Sequence, residues 1–212
     1  MSSTVLLSTA YFPPISWFAA ILKNDKVILE ACETYSRQTY RNRCQILGPN
    51  GLQSLSVPIT KPYGNRTQTS EVQIVTPSAW NRLHWRAIVT TYNASPFFLY
   101  YRDKIELVLF EPQNSLFALN LSLIELLLEL LEIEKPVSLS IDFEKDPKDL
   151  IDLRNSIHPK KAFLSMDLFP PYTQVFSTKF PFIPDLSIID LLFNEGPASK
   201  DYLLNLSQKI TQ

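Results

Sequence analysis

Residues 4–30 read TVLLSTAYFPPISWFAAILKNDKVILE, and their periodicity decides the fold. Residues 4–9 are an apolar, β-branched run of the kind that fills a strand buried on both faces. Pro13 and Pro14 end it, because proline has no N–H to give to a sheet ladder. Ile15–Lys23 then carries a strongly apolar helical face, and Lys26–Glu30 returns to strand character. A strand, a helix and a strand in so short a span predict a right-handed crossover and a partly parallel sheet.

Downstream, residues 39–47 and 52–59 flank Gly48-Pro49-Asn50-Gly51, where Asn50-Gly51 is a hairpin turn signal. Residues 71–75 read as a further strand. Pro77-Ser78 opens a helix reaching about Tyr92, and Ser95-Pro96 offers a cap and first residue for another. Residues 115–133 form a Leu-rich helix, 137–142 a strand, 147–157 a polar-faced helix, and 162–166 and 173–177 short late strands. Residues 186–196 read as a helix closed by Gly196 at C′. No repeat or long linker divides the chain. The expectation is a single α/β domain over 1–212, with a mixed, partly parallel sheet centred on residues 4–9, flanking helices, an inserted β-hairpin and a helical C-terminal half.

Composition excludes several functions. Hydrophobic residues at 45% and aromatics at 12% of 212 residues fill a substantial core. Only 4 glycines stand against 16 prolines, and neither a P-loop nor a dinucleotide-binding glycine pattern is present. Cys32 and Cys44 are too few for a disulfide scaffold and read as reduced thiols. The cysteines and histidines lack ligand spacing, so no metal site is expected, and the sequence leaves any cofactor unidentified. The N-terminus lacks a basic region and a small-residue cleavage site. The most apolar run, 116–131, is broken by Asn120, Glu125 and Glu129 and falls short of the ~20 residues that cross a bilayer. A cytoplasmic protein without a membrane partner is expected.

The charge map is the informative part. Residues 36–102 hold seven of the chain's eight arginines, with Lys61 and a single acid, Glu71, giving about +7 in a chain of net charge −1. Arginine offers a planar fork that matches phosphate or carboxylate, which lysine does not. On a strand through residues 39–47, Arg41 and Arg43 would share a face ~7 Å apart. Arg82 and Arg86 are four apart on a helix, a like-charge spacing that destabilises it slightly. Either an anionic ligand or internal carboxylates such as Asp167, Asp185 or Asp190 must compensate them.

The anionic reading takes a phosphate- or carboxylate-bearing small molecule as partner. Its candidate binding residues are Tyr11, Arg37, Tyr40, Arg41, Asn42, Arg43, Arg82, Trp85 and Arg86, lining one pocket that exposes Tyr11. His84 is the candidate general base, since imidazole titrates near neutrality and neighbouring guanidiniums would favour its neutral form. His158, beside Pro159-Lys160-Lys161, reads as a solvated loop residue. Cys44 would point away from Arg41 and Arg43 and reads as a packed thiol. Tyr35, Tyr40, Trp85 and Tyr92 among arginines would also suit base stacking, but a pI near 6.1 is low for a nucleic-acid domain.

Tyr40-Arg41-Asn42-Arg43-Cys44, Ile46, Gly48–Gly51 and Leu55–Ile59, followed by Trp80, His84, Trp85 and Tyr92–Phe98, resemble the WbqC-like family of bacterial proteins, in its Bacteroidetes-type branch. Tyr11-Phe12-Pro13-Pro14 is similar to that family's turn after the first strand, and residues 186–196 to its C-terminal signature. Ser8-Thr9-Ala10 stands where many members have Gln-Pro before the turn tyrosine, so a contact through that glutamine does not carry over. The family occurs in bacterial surface-polysaccharide gene clusters. The resemblance implies a transferase acting on an activated sugar and assigns no catalytic residue. A non-catalytic ligand-binding or scaffold protein with the same pocket, and an RNA- or tRNA-dependent factor, are the alternatives.

Overall fold

Residues 4–30 form the expected unit of β1 (Thr4–Ser8), α1 (Ile15–Lys23) and β2 (Lys26–Glu30) in a computed structural model that describes residues 3–75 and 79–210. β1 and β2 pair in parallel from Thr4↔Lys26 to Ser8↔Glu30. β7 (Val137–Leu139) joins β2 and β8 (Ile151–Asp152) joins β1, both in parallel, giving a four-stranded sheet in the order β7-β2-β1-β8. The antiparallel pairing lies outside it. A hairpin of β3 (Arg43–Gly48) and β4 (Gly51–Ser56) and a short pair of β5 (Ile59–Thr60) and β6 (Gln73–Ile74) form separate two-stranded sheets.

α2 (Trp80–Tyr92), α3 (Phe98–Phe110) and α4 (Leu116–Leu130) pack in series, with α2 also against the hairpin. α5 (Ile188–Glu195) and α6 (Ser199–Gln208) pack against α1. Val5, Leu7, Trp17, Phe18 and Leu29 join the helices in one continuous apolar core. α4 begins as the sequence reads, with Ser115 accepting from the Ala118 N–H at 3.2 Å. No helix among the described residues is long and apolar enough to cross a membrane.

The turn after β1 is held by the C-terminal segment. Phe12 sits at φ +42°, a region that β-carbon crowding makes rare outside glycine. Its carbonyl accepts from Ser187 Oγ at 2.9 Å. The Pro13 carbonyl accepts from the Ile188 N–H at 2.8 Å, and the Tyr11 N–H donates to the Tyr40 carbonyl at 2.9 Å. Gly196 closes α5 at φ +55°, where an added Cβ would lie 2.5 Å from the Phe97 ring.

Several local expectations change. The hairpin loop is Pro49-Asn50, and Gly51, at φ +105°, opens β4 rather than sitting within the turn. Arg41 precedes β3, so it shares no strand face with Arg43. α3 starts at Phe98, because Ser95 Oγ donates back to the Tyr92 carbonyl at 2.6 Å instead of capping the next helix. No helix forms over 147–157: residues 151–152 pair with β1, and Arg154 anchors the chain just beyond them. Residues 162–166 and 173–177 are turns and irregular chain held by side chains such as Gln174, not strands. The expected helix opening at Pro77-Ser78 lies outside the described residues.

Candidate functional site

β1 lies inside the parallel sheet, with its crossover partner β2 on one side and the late strand β8 on the other. The order of the chain reverses between β1 and β8, and α/β sheets place ligands outside the carboxyl ends of strands at such a point. Here that position is filled by an ion-pair network. Arg41 Nε and Nη2 bond the two oxygens of Glu33 at 2.7–2.9 Å. Nη2 also reaches Ser8 Oγ at 2.5 Å, at the end of β1. Arg154, just beyond β8, bonds Glu30 at 2.8 Å and Asp152 at 2.6 and 2.9 Å. Ser140 Oγ adds a bond to Glu30 at 2.6 Å. Beside Ser8, Arg41 and Arg154 only about 10 Å³ remains, no more than a single water occupies.

Tyr40 separates this floor from a larger cavity of about 250 Å³ lined by Tyr40, Gln45, His158, Lys160, Lys161 and Asp185. Burial and then the charges of Lys161, Lys160, Arg41 and Arg43 lower the His158 pKa. Those cations lie near enough to the ring to disfavour its protonated form. His158 Nδ1 accepts from the Lys160 N–H at 3.1 Å, so a neutral ring keeps its proton on Nε2 and serves as a donor. Asp185 is the complementary group. Its carboxylate accepts from Ser16 N and Ser16 Oγ, both at 2.8 Å, stitching the C-terminal segment to the start of α1. Burial pushes its carboxyl up to about 7, into the range of a group that exchanges protons near neutrality.

The expected residues do not meet in one place. Arg41 belongs to the buried network, and its counter-charge is Glu33 rather than Asp167, Asp185 or Asp190. Asp190 instead accepts from Tyr92, Tyr172 and Gln174 at 2.6–3.2 Å. Tyr40 alone of the expected set lines the cleft. Arg43 is half-buried, and its Nε has no hydrogen-bond partner. Asn42 is used in the hairpin, donating to the Val57 carbonyl at 2.9 Å. Arg37, Arg82 and Arg86 are exposed, Arg86 beside the hairpin and away from the cleft.

Tyr11 and His84 form a buried pair. Tyr11 is fully buried, so the single arginine-lined pocket exposing it does not form. Its hydroxyl lies 2.8 Å from His84 Nδ1. Burial pushes the His84 pKa down to about 4, with the Ser56 backbone carbonyl opposing that shift as an acceptor. The neutral ring therefore donates to Ser56 and accepts from Tyr11, which leaves no nitrogen free to take a substrate proton. Its neutral form is due to burial, not to neighbouring guanidiniums. Trp85 stacks on Phe98 in the core, and Tyr35, Tyr40 and Tyr92 are buried too, so these rings are not displayed for base stacking. Cys44 is buried, which raises its thiol pKa as a packed cysteine requires. Among the described residues no cluster could hold a metal ion.

Sequence reading took His158, beside Lys160 and Lys161, as a solvated loop residue and did not join it to the candidate pocket, because the loop has no periodicity. The run His-Pro-Lys-Lys was the available signal.

Comparison with known proteins agrees with the resemblance. The chain is 25% identical to an uncharacterized Mycobacterium tuberculosis protein, Rv1507c, over 96% of this chain and 98% of that one. No solved structure matches significantly. The profile of the WbqC-like protein family matches residues 9–161 and 156–202, which include the turn after β1, the hairpin, the cleft loop and α5. The chain belongs to the WbqC-like protein family.

Proposed function

We propose that the cleft beyond β1 and β8 binds the phosphate or carboxylate of a small molecule, and that the protein transfers the sugar of a nucleotide-activated sugar to an acceptor hydroxyl there. The convergence of Lys160, Lys161 and His158 on one cavity, with Arg41 and Arg43 near enough to depress the imidazole, carries this reading. At about 250 Å³ the cavity is smaller than the ~300–1,000 Å³ of sites that enclose a whole drug-sized ligand. It therefore holds the anionic end, and the sugar lies outside. Asp185, not His84, is the proton acceptor in this scheme. It takes the proton of an attacking hydroxyl as that oxygen bonds to the anomeric carbon of the sugar, while the sugar–phosphate bond breaks and the leaving nucleotide departs with its electron pair, its phosphate held by the lysines.

Calorimetric titration of uridine diphosphate sugars tests this. A charge-assisted hydrogen bond is worth roughly 1.5–3 kcal/mol, so Lys160→Ala and Lys161→Ala should each weaken binding about tenfold or more. Asp185→Asn should retain binding and lose turnover by ~10²-fold or more. Unchanged affinity in both lysine variants would overturn the site. Binding without turnover by the unsubstituted protein would leave the ligand-binding reading in its place.

A further inference from the structure

The second edge of the hairpin has a geometry that the cleft does not use. Register fixes which backbone groups face outward. Gly48–Gly51, Ile46–Gln53 and Cys44–Leu55 are the hydrogen-bonded pairs, and the Val57 N–H to Asn42 carbonyl bond at 2.8 Å keeps the same parity. Leu52, Ser54 and Ser56 consequently turn their N–H and C=O groups away from β3. The outer edge of β3 is covered, with the Gln45 carbonyl accepting from the Ser187 N–H at 2.9 Å. On β4, the Ser56 carbonyl is taken by His84. Beyond His84 the edge is open, and the outward groups of Leu52 and Ser54 have no partner among the described residues.

This open edge faces α2 across a groove of about 580 Å³, lined among others by Leu52, Ser54, Leu83, Arg86 and Thr91. Leu52 and Leu83 are 52% and 60% exposed there. Thr91 Oγ1 is buried on the groove's wall and has no hydrogen-bond partner. Arg82 and Arg86 are exposed on the same helix and join no ion pair among the described residues, and no acid lines the groove. Two residues' worth of outward donors and acceptors at strand spacing is more than a free small anion can satisfy, but it matches a peptide backbone.

We propose that an extended, acidic peptide segment of a partner protein docks in this groove as a third strand beside β4, with a carboxylate on Arg86 and apolar side chains on Leu52 and Leu83. The groove shares no lining residue with the cleft, so the two sites stand or fall separately. The probe is a fluorescein-labelled, end-blocked heptapeptide of alternating valine and glutamate, titrated into the full chain by fluorescence anisotropy and by amide correlation spectra. The expected result is saturable binding with the largest shifts at Leu52 and Ser54, weakened at least tenfold by Arg86→Glu. Ser54→Pro removes one outward N–H without touching a bond to β3, and it should weaken binding while the hairpin spectrum persists. Equal binding of a valine–lysine heptapeptide would overturn the proposal, as would shifts centred on β7 or no binding at millimolar peptide. So would the same shifts at Arg86 from inorganic phosphate alone.

Discussion

Replacing Glu33 by alanine should destabilise the fold by about 3–5 kcal/mol, the usual cost of removing one partner of a buried ion pair. Arg41 is 3% exposed, and Glu33 supplies three of its four side-chain hydrogen bonds. Without that carboxylate the guanidinium keeps only the Ser8 hydroxyl and no counter-charge. In a chain of this length the loss corresponds to a fall in Tm of about 6–20 °C. Arg41→Met should cost less, because an orphaned Glu33 can take up a proton, whereas an arginine cannot lose one. The double variant Glu33→Leu/Arg41→Met should recover most of the stability lost in Glu33→Ala, since apolar replacement of a whole buried pair is often neutral. Chemical denaturation of the three variants measures this. Additive losses in the double variant would show that the two side chains do not act as a pair.

The second large effect is on the pH dependence of stability, where half-buried Asp185 and buried His84 oppose each other. Asp185 has its carboxyl raised from 3.8 to about 7, so the folded state binds its proton more tightly than the unfolded chain does. Its contribution is present below about pH 4 and is lost as pH rises through about 7, amounting to ~4 kcal/mol at most. His84 has its imidazole lowered from 6.5 to about 4, so the unfolded chain binds that proton more tightly. Its contribution is present above pH 6.5 and is lost as pH falls toward 4, a change of ~3 kcal/mol. The two slopes largely cancel between pH 4 and 6.5, and the Asp185 slope continues alone to about pH 7. Asp185→Asn removes one of them, and asparagine still offers an oxygen to the start of α1. That variant should gain stability steadily from pH 4 to 6.5 and be more stable than the unsubstituted protein at pH 8. Parallel urea-denaturation profiles for the two proteins would place the Asp185 carboxyl near its ordinary pKa.

Local patterns carried the sheet. The apolar run in β1, the prolines after it and the helical face of α1 each act within a few residues, and the parallel β1–β2 pair followed from them. The hairpin and the Leu-rich helix α4 were legible for the same reason. β8 was not, because its two residues pair with a strand 146 positions away and carry no strand periodicity of their own. Arg41 was misplaced because residues 39–42 turn before β3 begins, and the partner that explains it, Glu33, lies outside the basic segment. Charge counting isolated the basic segment, but it could not say that one arginine is neutralised inside, another is half-buried and others face solvent. The cleft itself joins a loop at 158–161 to Asp185 and Tyr40, a meeting made only by tertiary packing.

The most direct measurement is the position of a phosphate mimic in a crystal of the full chain. Tungstate soaked into such crystals should give its strongest anomalous peak in the cleft, within hydrogen-bond reach of Lys160, Lys161 and His158, and the peak should vanish in Lys161→Ala crystals. An empty cleft, with the strongest peak elsewhere on the basic segment, for example against Arg37 or Arg86, would contradict the assignment of the anion site.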